Sequence, residues 1–174
     1  MKKVFLSALL VLGLLISNSA NAKQYSSDEY HCQINFPTDY EEEVNESTEN
    51  KTISITAVSG SMIYLLTIIV YADENVDEDV LENNDYVELV KLITSCSNLG
   101  AKIKAKKHIF SFNVGDEKGY YAKNIKAKLN GEKYTGNYYV IMRDKILYQF
   151  TALGLKKGYN DSQASRFENS FQFK

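Results

Sequence analysis

From residue 30 the chain alternates apolar and polar positions. In YHCQINF, Tyr30, Cys32, Ile34 and Phe36 alternate with His31, Gln33 and Asn35, the period-two pattern of a half-buried strand. Pro37, the single proline, ends it. A polar, acidic connection follows (TDYEEEVNESTENK), and TISITAV then alternates again with Ile53, Ile55 and Ala57 on one side. Ser59-Gly60-Ser61 is turn chemistry, and MIYLLTIIVYA beyond it is apolar on both faces, as in a central strand covered on two sides. The period changes in NDYVELVKLITSCSNLG. Asp85 and Glu88 form a capping box, Tyr86, Leu89, Val90, Ile93 and Cys96 fall on one stripe, and Gly100 sits at a C-terminal cap, which predicts a helix over 85–98.

The second half predicts strands. KIKAKKHIFSF and YYAKNIKAKL are two of them, and Asn130-Gly131 joins the latter to KYTGNYYVIM as a hairpin. Arg143-Asp144-Lys145 turns the chain into ILYQFTALG, completing a three-strand meander. A helix over 162–169 follows, with Asp161 as N-cap and Ala164 and Phe167 inward, and SFQFK closes the chain as a short strand.

The first 22 residues change where this domain is expected to work. Lys2 and Lys3 precede an apolar run from Val4 to Ile16, and Ala20-Asn21-Ala22 is a small-x-small cleavage site, so residues 1–22 read as a secretory signal peptide and 23–174 as a single mature domain. The apolar run is too short to span a bilayer comfortably, so no membrane span is expected after cleavage. The expected location is periplasmic or secreted. The formal net charge of −2 becomes two units more negative when Lys2 and Lys3 leave, which gives no nucleic-acid footprint. Lys102, Lys104, Lys106, Lys107, Lys123, Lys126, Lys128 and Lys133 are interleaved with apolar residues and read as a solvated strand face.

Candidate chemistry is sparse. Cys32 and Cys96 form an even pair in an oxidising compartment, and a disulfide between them would close a loop of roughly 65 residues, worth about 4 kcal/mol in the chain-entropy model. The alternative is two buried free thiols. His31 and Cys32, as strand neighbours, point to opposite faces and make no dyad. His108 with a cysteine or a carboxylate is the remaining hydrolase arrangement, and no Gly-x-Ser-x-Gly elbow is present. Asp73, Asn75 and Asp77 occupy the first, third and fifth positions of a calcium loop, but Glu78 stands where glycine is wanted and Asn84 where a bidentate glutamate is wanted. Calcium is therefore a weak candidate, and no other cofactor is expected. Of thirteen tyrosines, Tyr120, Tyr121, Tyr134, Tyr138, Tyr139 and Tyr148 cluster in the meander. Tyr120, Tyr121, Tyr138 and Tyr139 could anchor a sugar, a peptide or a protein partner, or could divide between core and surface.

The order of elements, with INFPTDY after the opening strand, YYVIMRDKILYQFTALG in the meander and SRFENSFQF at the end, resembles the PsbP-like proteins. These include the extrinsic oxygen-evolving subunit of photosystem II and many small exported bacterial proteins. The resemblance implies an α+β class, an antiparallel sheet with helices packed on it as an α/β/α sandwich, used as a non-catalytic binding or assembly module. It transfers no functional residue. The cysteine pair and the density of tyrosine are not features of that family, and a cystatin-like α+β fold is the alternative. The expected partner is an envelope or extracellular protein, or a small ligand; the alternatives are a small hydrolase using His108 and a calcium-dependent module.

Overall fold

The computed structural model describes residues 22–72, 109–129 and 131–174. In these, the chain runs β1 (Lys23–Ser27), β2 (Cys32–Phe36), β3 (Glu41–Glu46), β4 (Asn50–Ser59), β5 (Met62–Tyr71), β6 (Ile109–Val114), β7 (Glu117–Leu129), β8 (Glu132–Arg143), β9 (Ile146–Leu155), a helix α1 (Asp161–Glu168) and β10 (Gln172–Phe173). Seven strands form one antiparallel sheet in the order β3-β4-β5-β9-β8-β7-β6, and β1-β2-β10 form a second.

One face of the large sheet carries Ile53 and Ile55 from β4, Tyr64, Leu66 and Ile68 from β5, and Tyr148 and Phe150 from β9. These pack against Cys32, Ile34 and Phe36 of β2, Tyr25 of β1, Ala164 and Phe167 of α1, and Phe171. Alternate residues on β7, β8 and β9 point the other way into a second cluster that includes Tyr120, Ala122, Ile125, Tyr138, Val140, Leu147 and Leu153. The central strand β9 is therefore buried on both sides, which explains why it is mostly apolar and why its two polar side chains, Gln149 and Thr151, are buried with the rest. β5 is buried over most of its length in the same way, as its sequence predicts.

The sequence signals that resemble PsbP-like proteins sit at the junction of the two sheets. The ring of Phe36 lies 5.1 Å from that of Phe167, and the Asn35 N–H donates to Ser170 Oγ at 2.9 Å. Phe36-Pro37 and Phe-x-x-Ser-Phe thus join the opening strand to the end of the helix.

The expected class, an α+β fold with helices packed on the sheet as an α/β/α sandwich, is corrected. Among the described residues there are two antiparallel sheets and one helix of eight residues. What lies on the first face of the large sheet is chiefly another sheet. Two segments without apolar alternation account for part of the difference. Lys23–Ser27, a polar leader by pattern, pairs with β2, and Glu41–Glu46, an acidic connection by pattern, pairs with β4 over its whole length. Backbone hydrogen bonds hold such edge strands with little burial, Tyr25 alone on β1 and no residue on β3, and the glutamates of β3 guard an open edge against further pairing. The predicted helix over 85–98 lies outside the described residues.

Local details follow their chemistry. The two-residue loop between β7 and β8 contains Gly131 at φ +85, and Asp144 and Lys145 take positive φ in the next turn. His31, at φ +46, belongs to the β1–β2 turn and not to the strand. The N-cap of α1 is Asn160, whose Oδ1 accepts from the Gln163 N–H at 3.1 Å; Asp161, expected in that role, begins the first turn instead.

In β7 the pairing with β8 shifts between Ala122 and Ile125, and Asn124 takes φ +54. This bulge resets the side-chain alternation. Before it, the odd residue Tyr121 shares a face with Tyr139; after it, the even residues Lys126 and Lys128 take that side, while Ile125 and Ala127 join Tyr120 and Ala122 in the second cluster. The Asn124 N–H, left out of the ladder, donates to Asn137 Oδ1 at 3.3 Å.

Candidate functional site

On the first face, a row of aromatic rings crosses β6, β7, β8 and β9. Phe110 and Tyr121 lie 5.4 Å apart, and Tyr121 stacks on Tyr139 at 4.9 Å. Tyr139 stacks on Phe150 at 4.8 Å, and Phe150 on Phe171 at 4.8 Å. Phe112 meets Tyr121, Tyr139 and Phe150 edge-on, the favourable crossing for these quadrupoles. Its ring lies across Gly119, where a Cβ would collide with it. Exposure grades along the row. Phe150 and Phe171 are buried, Tyr121 and Tyr139 half-buried, and Phe110 is 43% exposed.

The row passes from core to surface beside a buried carboxylate. Glu168, at the end of α1, is only 6% exposed. Tyr139 donates its hydroxyl to Glu168 Oε2 at 3.0 Å, and Asn137 Nδ2 donates to both carboxylate oxygens at 3.2 and 3.3 Å. Burial raises the Glu168 carboxyl above its ordinary value; the two hydrogen-bond donors and Lys123 oppose this, and Asp161 adds to it. Burial, with Glu168 nearby, likewise pushes the Tyr139 hydroxyl up. The carboxylate is fully engaged by neutral donors, and no described histidine adjoins it, since His31 is exposed in the β1–β2 turn. Its evident work is mechanical. Through Asn137, which also receives the Asn124 N–H, it ties α1 to the β7 bulge.

That bulge sets out a basic margin. Lys123 places its Nζ 5.5 Å from the ring centres of both Phe110 and Tyr121. Lys126 and Lys128 follow on the same side, and Lys128 pairs directly across from Lys133. All four lysines are exposed, and none is in an ion pair among the described residues. Like charges directly opposite on a sheet are unfavourable, so this arrangement is not one that stability selects. The Lys156 N–H donates to the Lys133 carbonyl, so another exposed lysine adjoins the group.

At the opposite end of the same hairpin, Arg143 lies 5.0 Å over the ring of Phe173 and 3.8 Å from Glu117. Val114, Asp116, Glu117, Arg143 and Phe173 line an open groove there. Arg143 is paired there with Glu117, and the groove brings together no set of groups suited to catalysis.

The sequence candidates divide as follows. Tyr121 and Tyr139 stack in the aromatic row, whereas Tyr120 and Tyr138 are buried in the second cluster, and Tyr138 donates to Gln149 Oε1 at 3.0 Å. The four tyrosines thus face two ways. Tyr148 is in the core and donates to the Tyr30 carbonyl at 2.8 Å. Cys32 is fully buried on β2. Cys96, His108 and the calcium candidates Asp73, Asn75 and Asp77 lie outside the described residues, as do Lys102, Lys104, Lys106 and Lys107. Glu168 and Asn137 were not among the sequence candidates, because nothing in the pattern of α1 or β8 marks a polar contact between them.

The chain has a PsbP-like fold. It is similar to the cyanobacterial PsbP protein (CyanoP) of Synechocystis sp. PCC 6803, whose solution structure matches with a TM-score of 0.61 at 9% identity, covering 92% of this chain and 97% of that one. Weaker likenesses are to a protein of Bacteroides thetaiotaomicron VPI-5482 (TM-score 0.48, 12% identity, 87% of this chain and 48% of that one). Another is to LpqN, involved in cell envelope biogenesis of Mycobacterium tuberculosis (TM-score 0.42, 9% identity, 79% and 85%). No protein-family model matches the chain, and no curated protein matches it in sequence. At these identities the likeness is one of fold.

Proposed function

We propose that this protein is an exported, non-catalytic binding or assembly module that works through the margin of its large sheet formed by β6 and the β7–β8 hairpin. The observation that carries this reading is the graded aromatic row, which begins in the core at Phe171 and reaches the 43% exposed Phe110 beside lysines that make no ion pair among the described residues. A rigid ring row backed by the core presents a preorganised surface at low entropic cost. Export is read from the signal-like residues 1–22; among the described residues no helix is long and apolar enough to cross a membrane. The likeness of fold to a PsbP protein supports a module of this kind.

Site-specific photo-crosslinking in an exporting bacterial host tests it. A photoreactive phenylalanine analogue in place of Phe110 should form adducts in the extracytoplasmic fraction, whereas the same analogue in place of the exposed Val58 on β4 should not. Equal adducts at the two positions, or none at either, would sink the proposal.

A further inference from the structure

We infer that the partner of this margin is an anionic lipid surface. The inference rests on the reading of the margin as the binding face and names what it binds. Lys123, Lys126, Lys128 and Lys133 lie on one side of a two-stranded ribbon, flanked by the rings of Phe110 and Tyr121. None of them makes an ion pair among the described residues, Glu168 acts on Lys123 only without such contact, and Lys128 faces Lys133 directly. A fold that keeps like charges opposite one another gains if a polyanionic surface discharges them.

The composition of the margin separates a bilayer from a protein partner. All four cations are lysines. Lysine is a strongly hydrated point charge that is depleted in the buried centres of protein interfaces, where arginine is enriched. Long lysine stems around one exposed ring, Phe110, are what a headgroup layer accommodates, the charges lying among phosphates and the ring at the acyl boundary. Although the domain is acidic overall, its acidic edge β3 is five strand spacings from β7, or about 24 Å, well beyond a Debye length of about 8–10 Å at physiological salt. A surface at the lysine margin therefore meets the cations and is screened from the glutamates of β3, leaving Glu132, beside Lys133 at the hairpin end, as the nearby exposed carboxylate of the ribbon.

Vesicle flotation with the mature full chain tests this. The protein should float with vesicles of phosphatidylcholine and phosphatidylglycerol but not with phosphatidylcholine alone, and added salt should release it. The pair Lys126→Gln and Lys128→Gln should lower partitioning by roughly fivefold per lysine, about 25-fold together. The equal charge change Lys23→Gln and Lys145→Gln, away from the margin, should lower it far less. Lys133→Glu supplies a readout that loss of folding cannot imitate, since it should raise the melting temperature by replacing a like-charged pair with an opposite one, while abolishing flotation. Equal flotation with neutral vesicles, or equal loss in both lysine pairs, would overturn the inference. So would binding to a soluble polyanion such as heparin without flotation. A protein adduct from the Phe110 position without flotation would also overturn it, while leaving the margin as a binding face.

Discussion

Tyr139→Phe removes one hydroxyl from the joint between α1 and the bulge and leaves the ring stacked between Tyr121 and Phe150. A hydrogen bond to a charged group contributes about 1.5–3 kcal/mol, and one between neutral groups about 0.5–1.5 kcal/mol. The variant should therefore lose about 2 kcal/mol where Glu168 is ionised and about 1 kcal/mol where it is protonated. The pH dependence has a definite sign. Glu168 is raised in the folded state by burial, so its protonated form favours folding, and that contribution is lost as pH rises through the folded value. The Tyr139 bond holds the value down, so deleting it raises the folded value further and leaves the unfolded one unchanged. The deficit of Tyr139→Phe relative to the parent should thus be smallest in acid and grow with pH to a plateau. At about 1.4 kcal/mol per tenfold change in proton affinity, a difference of about 1 kcal/mol corresponds to less than one pH unit of upward displacement. Urea unfolding followed by circular dichroism, from about pH 4 to about pH 8, measures this. A deficit that is constant across that range, or largest in acid, would refute the assignment of Tyr139 as a donor to the carboxylate.

Gly136→Ala should destabilise by about 3 kcal/mol or prevent folding, because a Cβ there runs into the carbonyl of Ala152 on β9, and backbone in mid-sheet cannot yield; thermal unfolding reads it. Phe150→Ala should cost about 3–5 kcal/mol and Phe110→Ala less than about 1 kcal/mol, so similar losses by chemical denaturation would contradict the graded burial of the row. A bridge between Cys32 and Cys96, which we keep as a proposal, predicts no titratable thiol in the denatured, unreduced mature protein, and two thiols would exclude it. In the reduced protein, burial pushes the Cys32 thiol up to about 12, so it should resist a thiol reagent until the domain is unfolded.

The strands with a buried side were legible in the sequence. Alternation in CQINF and TISITAV, the doubly apolar MIYLLTIIV, and the turns at Gly131 and Asp144-Lys145 reappear as β2, β4, β5 and the meander. β1 and β3 were not legible, because an edge strand is held by its backbone and its side chains need show no period. The PsbP-like resemblance was legible in Phe36, Phe167, Ser170 and Phe171, which meet at the junction of the sheets, but these residues constrain the fold and carry no ligand chemistry. Glu168 could not be found locally. Its burial depends on Asn137 and Tyr139, about thirty positions away in the chain. The lysine margin was half visible. In AKNIKAKL the apolar phase changes across Lys123-Asn124, and the hairpin register places Lys128 opposite Lys133, yet spacing alone reads as an ordinary solvated face.

The bulge at Asn124 also makes chain length itself informative. One extra residue acts on β7 as a frameshift acts on a message: every position beyond it changes its meaning, inward for outward. Removing one residue at the bulge would restore the frame: Ala122-Lys123-Ile125-Lys126-Ala127-Lys128 is itself a regular alternation, so Ile125 and Ala127 would stay in the second cluster and Lys126 and Lys128 on the lysine side. A relative lacking that residue is expected to keep its lysines and apolar residues in the same order from there to the hairpin loop, in unbroken period-two alternation. A gap at this point in a comparison of two such chains would then mark the loss of the bulge and not a change of face, and the residues on either side of it would still match one for one.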